Sequence, residues 1–122
     1  MPRHLEDDIQ VSCIYWFSYQ FPKILKLLIA IPNGGRRNRR EAARLKKSGV
    51  VPGVSDLVLF IPNQFHHALC IEIKSKDGRQ SQLQKDWQKL VEVYNFKYVV
   101  CRSLDEFRSE VQMYLRNSIT FL

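Results

Sequence analysis

Two acids and a lysine lie where their side chains could do chemistry together. Asp56 starts one apolar run, and Glu72 and Lys74 lie within the next, separated by one isoleucine. Side chains alternate between the faces of a strand, so Glu72 and Lys74 would point the same way, opposite Ile71 and Ile73. A carboxylate and an ammonium are costly to bury in so apolar a segment unless they pair or bind something. The residues form either a structural ion pair or the acidic and basic set of a metal-dependent phosphodiesterase.

The neighbouring patterns predict a strand pair that carries these side chains. Ser55 to Ile61 and Ala68 to Lys74 have the composition of strands, and Pro62 to Phe65 that of a turn which makes them antiparallel. A capping box at Ser81 and Gln84 then begins a helix. Its apolar residues at helical spacing predict a buried stripe of Leu83, Trp87, Leu90, Val91 and Tyr94.

The rest of the chain predicts helices that cover a sheet. The expected elements are an amphipathic helix over Leu5 to Phe17 that begins near His4, a buried strand over Leu27 to Ile31, a helix from an Asn38 cap to Gly49, a strand over Tyr98 to Cys101, and a last helix capped by Ser103. Glu6, Asp7 and Asp8 are expected in the first turn of the first helix, where the macrodipole favours acids. Glu6 is the one best placed to face inward. This order of elements indicates an α/β domain with a central mixed sheet.

Basic residues are concentrated in the helix before the strand pair. Positions 36 to 47 contain seven basic residues against one acid, and the chain has a formal charge of +7. The seven are Arg36, Arg37, Arg39, Arg40, Arg44, Lys46 and Lys47. A solvated helix face and a nuclear-import signal are alternatives, but so dense a cluster beside Asn33-Gly34-Gly35 favours contacts to phosphates. We expect a nucleic-acid partner and no membrane partner.

Length and composition indicate one globular domain over residues 1–122. The apolar fraction of 45% and the charged fraction of 25% are typical of soluble proteins. No apolar run reaches the roughly 18 residues of a membrane span, and the first residues lack the apolar core of a signal peptide. Cys13, Cys70 and Cys101 each lie in an apolar run, which predicts buried free thiols in a reducing compartment. We expect a cytoplasmic protein.

Four short motifs follow one another along the chain. They are Pro32-Asn33-Gly34, then Ala43-x-Leu45-Lys46 leading to Gly49-Val50-x-Pro52-Gly53-Val54-Ser55-Asp56-Leu57, then Ile71-Glu72-Ile73-Lys74, and last Leu83-Gln84-x-x-Trp87. In this order and spacing they resemble the virus-type replication-repair nucleases (VRR-NUC), a branch of the PD-(D/E)XK phosphodiesterases. The resemblance implies a PD-(D/E)XK nuclease-like core, a mixed sheet flanked by helices. Ser55 departs from the family, which usually has a proline before its first acid, and this leaves the shape of the local turn open.

The resemblance also implies a metal site with one or two Mg²⁺ or Mn²⁺ ions. Its ligands would be Asp56, Glu72, the backbone carbonyl of Ile73, and the glutamate that the family's early helix supplies. Glu6 matches that glutamate by position, with Asp7 and Asp8 as alternatives.

Two further residues receive roles from the same resemblance. Lys74 would orient the attacking water or stabilise the developing negative charge. Gln84 would support Lys74 or the water, although its other reading, a helix cap, is equally open. The implied catalytic set is therefore Asp56, Glu72, Lys74, Gln84 and Glu6.

The implied substrate is DNA, cut inside the strand by a metal-dependent endonuclease. Expected DNA contacts come from Asn33, Gly34, Arg36, Arg37, Arg39, Arg40, Arg44, Lys46, Lys47, Lys76 and Arg79. Family members that stand alone resemble Holliday-junction resolvases, so the resemblance implies a homodimer that acts on branched DNA such as a four-way junction. The alternatives are a non-catalytic nucleic-acid-binding module and an accessory subunit of a repair or replication complex.

Overall fold

A mixed sheet of four strands lies at the centre of the fold. The structure, a computed structural model, describes residues 2–32 and 39–118. The strands are β1 (Leu28–Ala30), β2 (Leu57–Leu59), β3 (Leu69–Ile73) and β4 (Lys97–Cys101), and they lie in that order across the sheet. The pairs β1 with β2 and β2 with β3 are antiparallel, whereas β3 and β4 are parallel. The expected mixed sheet and the expected hairpin are both confirmed.

Helices cover both faces of this sheet. They are α1 (Pro2–Gln20), a short 3-10 helix (Pro22–Leu27), α2 (Arg39–Lys47), α3 (Gln82–Val93) and α4 (Leu104–Arg116). On one face, Cys13 and Phe17 of α1 and Phe107 and Val111 of α4 form the main buried cluster with the sheet. On the other face, Trp87 of α3 packs on a smaller cluster. No helix in the described ranges is long and apolar enough to span a bilayer.

Strand β3 serves both faces because its side chains alternate. Leu69, Ile71 and Ile73 belong to the main core with α1 and α4. Cys70 belongs to the cluster on the α3 side, and Glu72 points the same way as Cys70. The predicted division of β3 into an apolar face and a face that carries Glu72 is confirmed.

The buried stripe predicted for α3 is wrong. Leu83, Leu90 and Tyr94 are 54%, 56% and 65% exposed, and only Trp87 and Val91 pack against the sheet. The sheet offers α3 little apolar surface, since β2 has only three residues and β3 presents the carboxyl of Glu72 on this side. A helix that crosses such a surface buries a stripe narrower than its apolar periodicity predicts.

Two other expectations also fail. The acids Glu6, Asp7 and Asp8 are not in the first turn of α1, because the helix begins at Pro2. The strand predicted over Leu27 to Ile31 is shorter and mostly exposed, because β1 is an edge strand that follows the 3-10 helix. The Asn38 cap lies outside the described residues.

Side-chain hydrogen bonds fix the turn between β2 and β3. Asn63 accepts from the backbone N–H groups of Phe65 and His66 at 2.9 and 2.7 Å, a local bond that holds the turn closed. Its amide donates to the Tyr114 carbonyl at 3.2 Å, and the Tyr114 hydroxyl donates to the Ile61 carbonyl at 2.6 Å. The hairpin is thereby tied to α4.

Gly53 allows the loop before β2 to touch the first turn of α3. Its φ is +90°, and a Cβ at this position would lie 2.6 Å from the backbone oxygen of Leu83. Gly49 follows α2 with a φ of +102°, but a Cβ there would meet nothing within 4 Å. Of these two glycines, Gly53 alone combines a left-handed backbone with a close approach of two segments.

The two glycines make a matched test of that approach. Gly49→Ala should lower the free energy of unfolding by about 1–2 kcal/mol through backbone strain alone. Gly53→Ala should cost at least about 1–3 kcal/mol more, because backbone atoms have to shift. Urea unfolding followed by circular dichroism measures both. Equal losses would contradict a close approach at Gly53.

Candidate active site

Glu72 lies in the middle of a buried polar cluster. Its side chain is on β3 and the residue is 1% exposed. Gln84 on α3 donates from Nε2 to Oε2 at 2.7 Å, and the Tyr98 hydroxyl on β4 donates to Oε1 at 3.3 Å. The Lys74 ammonium, on a residue that is 9% exposed, lies 3.5 Å from Oε2. Each oxygen of this carboxyl therefore has a donor from a different element.

Asp56 lies beside Glu72 because of the strand register. Leu57 pairs with Ile71 across the hairpin, so the residue before β2 is opposite Glu72. The Asp56 carboxylate accepts from the Ile73 N–H at 2.7 Å. Ser55, buried in the turn before it, donates its hydroxyl to the Leu57 carbonyl at 3.1 Å. The turn thus forms without the proline that the family usually has there.

Burial raises the pKa of both carboxyls. Desolvation is the largest cause for Glu72, followed by the charge of Asp56, and together they raise the pKa of Glu72 to about 8 against the opposing effect of Lys74. Desolvation also raises the pKa of Asp56, although the Ile73 N–H, a hydrogen bond with Glu72 and the charge of Lys74 oppose it. The charge of Glu6 adds to the rise for Asp56. The positive charge of Lys74 is therefore not enough to keep both carboxyls at their ordinary pKa.

This environment fits a divalent cation with oxygen ligands. Mg²⁺ and Mn²⁺ favour carboxylate and carbonyl oxygens, and a cation beside Asp56 and Glu72 would favour the charged form of both carboxyls against the desolvation that raises their pKa. Within residues 2–32 and 39–118, however, no group of three or more His, Cys, Asp or Glu side chains is close enough to hold a metal. The described geometry therefore offers a pair of carboxyls, without Glu6 as a third member.

Glu6 instead contacts the loop that follows β3. It is the half-buried member of the three acids of α1, whereas Asp7 and Asp8 are exposed. Its Oε2 accepts from the Ser75 N–H at 3.1 Å. Arg102 holds the same loop, with Nη1 donating to the carbonyls of Ser75 and Gly78 at 2.7 and 2.6 Å. The position after Lys74 is thus fixed from two sides.

Gln84 combines the two roles that the sequence left open. Its side-chain Oε1 accepts from the backbone N–H of Ser81 at 2.8 Å, and its backbone N–H donates to Ser81 Oγ at 3.2 Å. These two bonds complete the predicted capping box. The Nε2 of the same amide contacts Glu72. One side chain therefore begins α3 and orients the carboxyl.

Sequence reasoning missed Tyr98 and Gln80. Tyr98 lies in the strand that the sequence predicted as buried, and the available signal was a hydroxyl in an otherwise apolar run, which needs a partner. Gln80 donates to that hydroxyl at 3.3 Å from the loop before α3. It had no signal, since a glutamine in a loop is ordinary.

The structure describes seven of the expected DNA contacts, and all are exposed. They are Arg39, Arg40, Arg44, Lys46 and Lys47 on α2, and Lys76 and Arg79 in the loop after β3. Asn33, Gly34, Arg36 and Arg37 lie outside the described residues. Lys76 is two positions after Lys74, so this loop carries an exposed cation close to the candidate site.

The chain belongs to the VRR-NUC domain family, whose model matches residues 5–105. A solved structure described as a VRR_NUC domain protein is similar, with a TM-score of 0.79 and 26% sequence identity over 91% of this chain and 88% of that one. No curated protein matches the chain by sequence. The family and the fold predicted from the motifs are confirmed. Membership makes this a nuclease-family domain, with DNA as the implied substrate, and nucleases of this type generally use divalent metals.

The raised pKa of Glu72 predicts a stability that depends on pH. The folded protein holds a proton on Glu72 up to about pH 8, whereas the unfolded chain releases it near 4.5. The stability from this group is therefore complete below about pH 4.5 and is lost as the pH rises through about 8. In EDTA, the free energy of unfolding should fall between pH 5 and 9 by on the order of 2 kcal/mol more in the wild type than in Glu72→Gln.

The matched control is Glu92→Gln, since Glu92 is an exposed glutamate on α3. Its unfolding profile should run parallel to that of the wild type across the whole pH range. Urea titrations at each pH give the three profiles. A Glu72→Gln profile that also parallels the wild type would show that burial does not perturb this carboxyl.

Proposed function

We propose that this chain is a divalent-metal-dependent endodeoxyribonuclease. The observation that carries the proposal is the pair of adjacent carboxyls, Asp56 and Glu72, set against the single ammonium of Lys74 on the α3 side of the sheet. A structural ion pair would balance one carboxylate with one cation. Here a second carboxyl remains, and a bound divalent ion would balance its charge in place of the proton that burial otherwise favours on Glu72.

The residues that would hold Mg²⁺ or Mn²⁺ are Asp56, Glu72 and the backbone carbonyl of Ile73, with Glu6 as a further candidate. When bound, such an ion would supply a water of lowered pKa and would neutralise charge on the scissile phosphate. Glu6 is supported by its effect on the pKa of Asp56, although its carboxylate is also engaged by the Ser75 N–H. Asp7 and Asp8 lack such support because both are exposed.

Lys74 would hold the attacking water or stabilise negative charge on the phosphate. Its residue is nearly buried and its ammonium contacts Glu72, so the positive charge is kept beside the reacting group instead of in bulk water. A fixed charge in a partly desolvated site stabilises developing charge more than a solvated one does. Gln84 would act indirectly, by keeping Glu72 in place.

DNA would be bound by the basic surface of α2 and the loop after β3. None of the residues of α2 is buried, so its five basic side chains are available to phosphates. Asn33, Gly34, Arg36 and Arg37 precede this helix in sequence, and the two arginines add to the positive charge. Binding of this kind depends on salt, with a slope of about 0.9 per phosphate contacted on duplex DNA.

The preferred substrate we propose is branched DNA such as a four-way junction, cut by a homodimer. A junction has two-fold symmetry, and cutting two opposed strands requires two active sites related by the same symmetry. Each chain carries one pair of carboxyls. Light scattering that gives a monomer at working concentration would argue against this finer proposal, and for nicking of a flap or a linear duplex.

A second candidate is a binding module or accessory subunit without catalysis. It is supported by the contacts of the acids, since Asp56 accepts from Ile73, Glu6 accepts from Ser75, and Glu72 contacts Lys74. All three carboxyls could therefore be structural. Divalent-metal dependence separates the two candidates, because a binding module needs no metal to bind DNA.

Cleavage of labelled DNA tests the function directly. Four-way junctions, flaps and linear duplexes are incubated with Mg²⁺, with Mn²⁺ and with EDTA, and we expect cutting only with metal. Glu72→Gln should lower the cleavage rate by roughly 10³-fold, because a metal ligand is lost. Its DNA affinity in EDTA should be unchanged or higher, since the exposed basic side chains of α2 stay in place and the site gains no negative charge. Cutting by Glu72→Gln at the wild-type rate would overturn the assignment.

Gln84 allows its cap to be separated from its contact with Glu72. Gln84→Glu keeps a side chain that can cap α3 but replaces the donor to Glu72 with a like charge, so cleavage should fall about 10–100-fold. Ser81→Ala removes the cap and should cost about 1 kcal/mol of stability with little effect on cleavage. Equal cleavage losses in both variants would mean that Gln84 acts only as a helix cap.

A further inference from the structure

Tyr98 lies next to Glu72 across the parallel strand pair. Cys70 pairs with Tyr98 and Glu72 pairs with Val100, so Tyr98 is the diagonal neighbour of Glu72 on the same face of the sheet. A long side chain reaches such a neighbour. The hydroxyl of Tyr98 lies 3.3 Å from Oε1 of Glu72.

The ring and the hydroxyl of Tyr98 have separate environments. The residue is 7% exposed, and its ring packs edge-on against Trp87 with centroids 6.1 Å apart. A phenylalanine could make that ring contact equally well. The hydroxyl has two hydrogen-bond partners among the described residues, Gln80 and Glu72. A buried hydroxyl is costly unless it is paired, so these partners indicate what it does.

Gln80 fixes the direction of the hydroxyl bond. Its Nε2 donates to the Tyr98 oxygen at 3.3 Å and to Oε1 of Gln88 at 3.0 Å. A phenol has a single hydrogen, and with the amide of Gln80 as donor on one side, that hydrogen is directed to Glu72. The chain of donors runs from the Gln80 amide through the Tyr98 hydroxyl to the carboxyl.

We propose that Tyr98 is a positioning residue for Glu72, with Gln80 acting through it. This inference rests on the proposed metal-dependent function. Tyr98 donates to Oε1 and Gln84 donates to Oε2, so the carboxyl is held at both oxygens and cannot rotate freely about its last bond. Each oxygen keeps acceptor capacity for a cation. Supporting residues of this kind are worth about 10–100-fold in metal affinity.

The test is Mn²⁺ binding by calorimetry to wild-type protein and to Tyr98→Phe, without DNA. Tyr98→Phe keeps the ring contact with Trp87, so it should fold and bind Mn²⁺ about 10-fold more weakly or worse. DNA cleavage at subsaturating Mn²⁺ should fall in parallel and recover as Mn²⁺ is raised. Gln80→Leu, at a partly exposed position, should weaken Mn²⁺ binding in the same direction but by less.

The matched control is Tyr114→Phe. Tyr114 is also buried, and its hydroxyl donates to the Ile61 carbonyl in the other part of the hairpin. This variant should lose as much thermal stability as Tyr98→Phe, or more, and bind Mn²⁺ as the wild type does.

The outcomes separate this inference from the proposed function. Wild-type protein that neither binds Mn²⁺ nor cuts DNA would overturn both. Wild-type protein that does both, with Tyr98→Phe equal to it in Mn²⁺ affinity, would overturn the role of Tyr98 alone. If Tyr98→Phe does not fold, Gln80→Leu decides, and wild-type Mn²⁺ affinity in that variant would overturn the role.

Discussion

Two neighbouring carboxyls, Glu72 buried and Asp56 half-buried, are the constraint on which the rest of this structure depends. Removing an ion from water costs several kcal/mol even after the protein relaxes, and a neighbouring like charge adds to that cost. Three donors are directed at Glu72, one from Lys74 directly after β3, one from α3 and one from β4, and the Ile73 N–H is directed at Asp56. No single element could supply all of them. The narrow hairpin, the close contact at Gly53 and the capped start of α3 are what bring these donors together.

The main core lies on the opposite face of the sheet, so stability and chemistry are supplied by different elements. Ile71 and Ile73 pack with α1 and α4, whereas the intervening Glu72 faces α3. Burying large apolar side chains on one face, at about 25 cal/mol per Å² of apolar area, offsets the cost of the charged groups on the other. This division also explains why α3 is held by few apolar contacts, since much of the surface beneath it is polar.

Much of the site could be predicted from the sequence because its signals are local. Alternation along β3, the Glu-x-Lys spacing and the capping box at Ser81 depend on residues close in sequence, and the structure contains all three. The failures concern what lies across the fold. The exposure of Leu90 depends on how much apolar surface α3 meets. The contact of Tyr98 with Glu72 depends on the register of β3 and β4, two paired strands that are separated in sequence by α3. Local periodicity predicts neither of these features.

Gln84 links the position of the Glu72 carboxyl to the formation of the first turn of α3. Its amide oxygen belongs to the capping box while its amide nitrogen belongs to Glu72, so one rotamer satisfies both. Helix ends open with smaller free energies than the whole domain does. When the first turn of α3 unwinds, Glu72 loses a donor although the sheet stays intact. A local opening equilibrium therefore sets the fraction of molecules in which Glu72 has all its donors, and heat can lower that fraction well below the global melting temperature.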